Sequence, residues 1–437
     1  MPGEIKRMIE AIIEKRSGGN EILEDTTRTK LILKGYHPER WTLQSEDDLA
    51  KIAELRRIAR DMGVQLQATT SVVIASTTAS SIEQAVDDIS RQCSGISPTM
   101  VLFFASSRYD PAAISRAMYD AFGGAQVIGC STAGEIVSGR VLKGSIVAMA
   151  FDDRTIRDAA FSLVTDVTSP DSLADAVRSL EEDIGTPLGE LDFRKYVGLI
   201  LIDGLSGSEE RVMDRLGDLT NVTFIGGSAG DDLKYESTYV YLNGAAYTNA
   251  AVLALLEPAG KFDIIKTQSF KALKTTLVPT KVNEERREVI EFNNRPAALA
   301  YAEALGIPPE DASTRFMRNP VGLVTGDDIF VRSPRQIEGE SIFFFCMVKE
   351  GVELALLEST DIVADTRRAV EEKVRQLAGA SALINFHCIL RALELEGNGQ
   401  DKEYGALFAD IPTIGFSTYG EEYIGHINQT STMLVFK

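Results

Sequence analysis

The chain reads as an α/β protein of two pseudo-repeated halves, with mixed sheets covered by helices, behind an N-terminal helical arm. Three observations predict this. After residue 69, short apolar runs alternate with amphipathic stretches, and runs such as TMVLFFAS and YVGLILIDG have the unbroken apolar character of strands covered on both faces. A turn motif recurs: IGCSTAGEI from Ile128, IGFSTYGEE from Ile414 and, more loosely, IGGSAGDD from Ile225. Residues 1–66 hold twelve basic and twelve acidic side chains, while the whole chain carries −19. The acidic excess therefore follows the arm, and a boundary is expected at residues 65–69. Two sheets packed face to face in four layers are the alternative arrangement.

In the arm, Ile5, Met8, Ile9, Ile12 and Ile13 recur at helical spacing and predict a helix over residues 4–16 with one apolar face. RSGGN breaks it. TKLILKGYHPERW is expected as a short strand and a proline turn. SEDDLAKIAELRRIARDMG is expected as a second helix, capped by Ser45 and followed by Gly63. The apolar stripe suits docking on the protein's own surface rather than partner recruitment.

From residue 70 to 290, SVVIAST, TMVLFFAS, AQVIGCS, YVGLILIDG and VTFIGGS are expected strands. SIEQAVDDISRQC, DPAAISRAMYDAFGG, DSLADAVRSLEEDIG and SGSEERVMDRLGD are expected helices. Asn243-Gly244 between apolar runs signals a hairpin, so the sheets are mixed. From 291 to 437, NRPAALAYAEALG and TDIVADTRRAVEEKVRQLAG read as helices. ASALINFHCILRALELEG passes from a buried strand into a helix.

Composition excludes several function classes. At 437 residues, two or three domains are expected. No apolar run approaches the roughly 18 residues of a membrane helix, and the charged start MPGEIKRMIEAIIEKR lacks a secretion signal. The acidic balance opposes binding to nucleic acid or an anionic membrane. Four scattered cysteines form no metal-type pair and suit reduced thiols in the cytoplasm.

The motif has a physical logic. Glycine permits close backbone approach, the hydroxyls bond turn amides or a ligand, and the acid accepts from the turn. One reading is a structural turn copied by duplication. The other is a pair of loops facing across the two halves and lining a shared pocket. GGSAG at 226–230 matches G-x-S-x-G, but the strand-like DDLKYESTYVYL follows where a hydrolase elbow needs a helix. No G-K-[ST] follows any copy, which excludes a P-loop.

IGCSTAGEI resembles the hallmark of the FIST N domain. IGFSTYGEEYIGHINQTSTMLVF, with FHCILRALELE before it, resembles the FIST C domain. The resemblance covers residues 70–437, with 70–290 as the FIST N-like and 291–437 as the FIST C-like domain. It implies a cytoplasmic signal-transduction sensor for small ligands such as amino acids, not an enzyme. Some members bind haem, sense nitric oxide and regulate a histidine kinase. This chain shows no kinase or methyl-accepting region, so a separate signalling partner is implied.

The expected ligand contacts are Cys130, Ser131, Thr132, Glu135, Ser228, His387, Cys388, Arg391, Ser417, Thr418, Tyr419, Glu421, His426 and Asn428. Of the three histidines, His37 sits in the polar arm, whereas His387 ends a buried strand and is the axial ligand expected if haem binds. A Cys or Ser acyl transferase is the least favoured class. It requires a base within hydrogen-bond reach of Cys130 or Ser228.

Overall fold

A computed structural model of the protein describes residues 4–42, 45, 48–64, 70–326 and 328–437. It falls into two units, Met1–Ser71 and Val72–Lys437. The boundary expected at 65–69 lies outside the described residues.

The first unit is helical. Helices Glu4–Ser17, Glu21–Leu33 and Leu49–Asp61 surround one apolar cluster. Ile5, Met8, Ile9, Ile12 and Ile13 are all buried in it, against Leu31, Tyr36, Ile52, Leu55 and Ile58. The stripe on the first helix thus serves packing within this unit. TKLIL is helical, not a strand. Asn20 caps its helix by accepting from the Ile22 and Leu23 amides, and the short apolar run supplies one buried residue, Leu31. Ser45 accepts from the Thr42 amide, and Asp48 accepts from Lys51 within the first turn of the last helix.

The second unit contains the same substructure three times. Each copy runs strand, helix, strand, helix, motif strand, hairpin, strand. In the first copy these are Val72–Thr77, Ile82–Gln92, Met100–Ser106, Pro111–Ala121, Gln126–Thr132, the hairpin Glu135–Val137 with Arg140–Leu142, and Ile146–Phe151. In the second they are Ile156–Val164, Pro170–Ile184, Val197–Ile202, Glu209–Leu219, Phe224–Ser228, the hairpin Val240–Leu242 with Ala245–Tyr247, and Ala251–Pro258. In the third they are Phe262–Gln268, Ile362–Leu377, Ala382–Cys388, Ile389–Asn398, Thr413–Thr418, the hairpin Glu421–Tyr423 with His426–Ile427, and Thr430–Phe436.

Each copy builds a six-stranded mixed sheet in one order: first strand, last strand, second strand, motif strand, then a hairpin. Only the pairing of second and motif strands is parallel. The hairpin always comes from another copy. The first copy's hairpin joins the third sheet, where Phe416 pairs with Glu135. The second copy's joins the first sheet, where Val240 pairs with Cys130. The third copy's joins the second sheet, where Glu421 pairs with Gly227. The exchange is cyclic, so no sheet is complete without a neighbour.

The inner faces of all three sheets meet in one core, with Phe104 in ring contact with both Phe386 and Phe416. Helices cover each outer face. The α/β class and mixed sheets are those the sequence predicts. The repeat is threefold because the 225–232 motif, although it keeps neither the Thr nor the second Gly of the others, ends the motif strand of a full copy.

Between the first strand and first helix of the third copy, residues 270–359 form an inserted β-rich body. It has a four-stranded and a five-stranded antiparallel sheet around Phe292, Tyr301 and Phe344. Phe262–Gln268, from before residue 291, is an edge strand of the sheet otherwise built from 382–436 and the imported hairpin.

Candidate functional site

The motif's first glycine solves the same packing problem three times. A Cβ on Gly129 would lie 2.1 Å from the Phe103 carbonyl oxygen. On Gly226 it would lie 1.7 Å from that of Ile200, and on Gly415, 2.2 Å from that of Asn385. Each carbonyl belongs to the residue in register on the parallel neighbour. Only glycine lets these strand pairs close.

Beyond those glycines the three loops bond to one another. The Ser417 amide donates to the Gly134 carbonyl at 2.8 Å, the Ser228 amide to Gly420 at 2.9 Å, and the Gly230 amide to Ser131 at 2.9 Å. The loops therefore meet, as a shared site requires, but most of their hydroxyls are spent internally. Ser131 Oγ accepts from the Tyr239 amide at 2.9 Å. Thr132 donates to Glu135. Thr418 Oγ1 accepts from the Ser228 and Gly420 amides. Ser228 Oγ donates to Glu422 at 3.1 Å.

Glu135 and Glu421 play matching roles. Glu135 Oε2 accepts from the amide and hydroxyl of Ser145, and Glu421 Oε2 from those of Thr430. Each carboxyl pins its hairpin to the strand that follows. Burial pushes Glu135 up to about 7 and Glu421 up to about 8.

Cys130 lies in the three-sheet core and Cys388 under the Gln429 amide, which donates to its sulfur at 3.0 Å. Burial raises both thiols. Asn428 is buried, and neither polar atom of its side chain has a partner among the described residues. Arg391, 1% exposed, donates to Ser269 and Thr366.

His387 does not fit the role of a haem ligand. It lies on the outer face of its sheet, its Nδ1 bonded to the Tyr404 hydroxyl at 2.9 Å and its ring against that phenol at 4.5 Å. Burial, with Arg391 nearby, holds the imidazole well below its usual pKa, so it is neutral. Its Nε2 has no partner among the described residues, yet the ring lines none of the cavities described below, and a macrocycle needs an open slot there. Cys130, facing the opposite side of a different sheet, is not its catalytic partner.

His426 has the surroundings of a site. Its Nδ1 bonds Glu422 at 2.9 Å. Burial alone would lower its pKa, but Glu422, itself raised by burial, and Glu210 raise it to about 10, which favours the imidazolium, a form without a lone pair for iron. Glu209 and Glu210 begin the Glu209–Leu219 helix and share Arg287 of the inserted body, at 2.9 and 2.6 Å. Despite its burial, Glu210 is held below the ordinary carboxylate range by His426 and Arg287.

Two cavities meet at His426. The larger, about 280 Å3, lies where the inserted body faces the three-sheet body. Its walls include Tyr235, Tyr419 and Phe343, with Arg286, Arg287, Arg335, Glu209 and Glu285 among the charged groups. Tyr419 is fixed there by donating to Asp231 and accepting from the Leu233 amide. The smaller, about 190 Å3, is lined by apolar side chains and by the tip of the 421–427 hairpin. A third cavity, about 320 Å3, is where Gly134, Ser417 and Asp232 of the three loops converge.

Of the residues expected to contact a ligand, Tyr419, Ser417 and His426 line these cavities; Cys130, Ser131, Thr132, Glu135, Ser228, His387, Cys388, Arg391, Thr418, Glu421 and Asn428 line none of the three. Sequence reasoning missed Glu209, Glu210, Arg287 and Glu422. The acidic pair opening a helix was visible, but nothing in the spacing joins 209, 287 and 426. Among the described residues no group of side chains has the arrangement of a metal site, and no helix is long and apolar enough to cross a membrane.

The FIST N domain model matches residues 99–295 and the FIST C domain model matches residues 297–423. The chain is also similar to the uncharacterized protein MJ1623 of Methanocaldococcus jannaschii, 23% identical over 272 residues. That match spans 56% of this chain and about half, 51%, of the relative. The matched FIST regions contribute walls to the larger cavity from both sides, Arg287 from one and Arg335 and Tyr419 from the other. FIST domains are associated with sensory signal transduction, and this chain, with both domains in tandem, belongs to the FIST family.

Proposed function

We propose that this protein is a cytoplasmic sensor that binds a small zwitterionic, amino-acid-like molecule in the 280 Å3 cavity and signals through a separate protein such as a histidine kinase. One observation carries the reading. The cavity sets guanidinium groups and carboxylates against aromatic walls, and its Arg335 has no ion-pair partner among the described residues. A free guanidinium suits a ligand carboxylate, Glu285 suits an ammonium, and Tyr235 with Phe343 suits the side chain between them. Binding without turnover is favoured because the motif's hydroxyls are already engaged within the protein.

Mass spectrometry of unheated native protein tests this by weighing what it carries. Amino acids should raise the melting temperature saturably in wild-type protein, and Arg335→Gln should weaken that response about tenfold, as loss of one charged contact does. A response unchanged in Arg335→Gln would defeat the assignment to this cavity.

A further inference from the structure

The smaller cavity at His426 has a different character. Leu323, Phe330, Val352, Leu354 and Ile427 make most of its wall apolar. Arg332 reaches it half-buried, and the one hydrogen bond its side chain makes among the described residues, at 3.1 Å, is to the neighbouring Val331 carbonyl. Neither Arg332 nor Lys349, also on the wall, has a carboxylate partner among the described residues. A guanidinium withdrawn from water without a counter-ion is costly. The carboxylates nearby do not supply one: Glu210 is taken by Arg287 and the Met347 amide, and Asp214 is exposed. His426 is likewise occupied with Glu422. The unmet charge of this cavity is thus positive, while its volume is mostly apolar.

We propose that this cavity is a second ligand site, for a small monocarboxylate with a short branched or cyclic apolar tail. The carboxylate pairs with Arg332, with Lys349 at the margin, and the tail lies among Leu323, Val352, Leu354 and Ile427. Size sets the class. An apolar cavity of about 150 Å3 holds a benzene-sized molecule, so 190 Å3 admits a tail of four or five carbons with its carboxylate, and excludes a long acyl chain.

The test compares three probes of one shape: isovalerate, 3-methylbutan-1-ol and isopentylammonium. Isovalerate should bind saturably at millimolar concentration and shift the methyl resonances of Leu323, Val352 and Ile427. The alcohol should bind at least about tenfold more weakly, and the ammonium should not compete. Arg332→Gln should bring isovalerate down to the alcohol's affinity, and Arg332→Lys should restore part of the difference. Arg335→Gln, in the other cavity, should leave isovalerate binding unchanged, which separates this site from the amino-acid site. Equal binding of acid and alcohol, preference for the ammonium, or no isovalerate shift in folded wild-type protein would each overturn the proposal.

Discussion

The imidazole of His426 occupies the space that a side chain would need at Gly420. A Cβ on Gly420 would lie 1.9 Å from Cε1 of that ring and 2.7 Å from Nε2. The motif's second glycine in this copy therefore seats the imidazole against Glu422. Gly420→Ala should displace the ring, break its bond to Glu422 and cost about 1–3 kcal/mol, the usual range for overpacking. Urea unfolding gives the loss, and the imidazole proton resonances give the displacement. An alanine variant with unchanged stability and spectrum would show that the ring moves freely.

The raised pKa of His426 makes stability depend on pH. The folded protein keeps a proton up to about 10 that the unfolded chain releases near 6.5. The stabilisation is complete below about 6.5 and is lost as pH rises to about 10. The difference in melting temperature between wild type and His426→Gln should therefore shrink across that interval. A difference that is constant with pH would mean the ring is not charged.

Glu135 and Glu421 act in the same direction at lower pH. Each is held protonated in the folded state, up to about 7 and about 8, and ionises near the ordinary 4.5 when unfolded. Stability should fall as pH rises from 4.5 through those values. Glu135→Gln should flatten the fall below about 7, and Glu421→Gln below about 8. At pH 5, where the wild-type carboxyls are protonated, both variants should be nearly neutral, because the Gln amide oxygen can take the Oε2 position and accept the two Ser145 or Thr430 donors. Thermal melts from pH 4.5 to 8 check the slopes.

Gly226 is the most crowded of the three motif glycines. A methyl there meets the Ile200 carbonyl oxygen at 1.7 Å inside a parallel strand pair, where neither backbone can yield. Gly226→Ala should cost more than about 3 kcal/mol, toward the severe end of single substitutions. Gly217→Ala, in an outer helix with open space at its Cβ, should be neutral or slightly stabilising. Chemical denaturation of the pair measures the contrast.

Much of the secondary structure was legible because it is local. Asn243-Gly244 takes positive φ at both residues and joins paired strands, as the dipeptide predicts. ALINFHC is a strand and ILRALELEGN a helix, with Gly399 in the left-handed conformation ending it. The misreading at Leu31–Leu33 shows the limit. Three apolar residues suit a strand or a helix equally, and the Asn20 cap eleven residues earlier decided the matter. The candidate site was less legible. Tyr419 and His426 belong to the long C-terminal motif, but Glu209, Arg287 and Arg335 come from three distant segments brought together by packing.

By itself, the sequence determined the alternation of strands and helices, the glycine turns and the motif they share, because periodicity and turn chemistry act over a few residues. It also showed one motif in three places. Tertiary structure decided what the three copies are for: each motif ends a strand, meets the other two, and sends its hairpin into a different sheet. Strand exchange is set by which edges are left open after the sheets pack, and an open edge leaves no mark in the spacing of residues along the chain. The same holds for His426. Glu422 faces it across its own hairpin, but only the approach of Glu210 from a distant helix, and burial between two cavities, completes its surroundings.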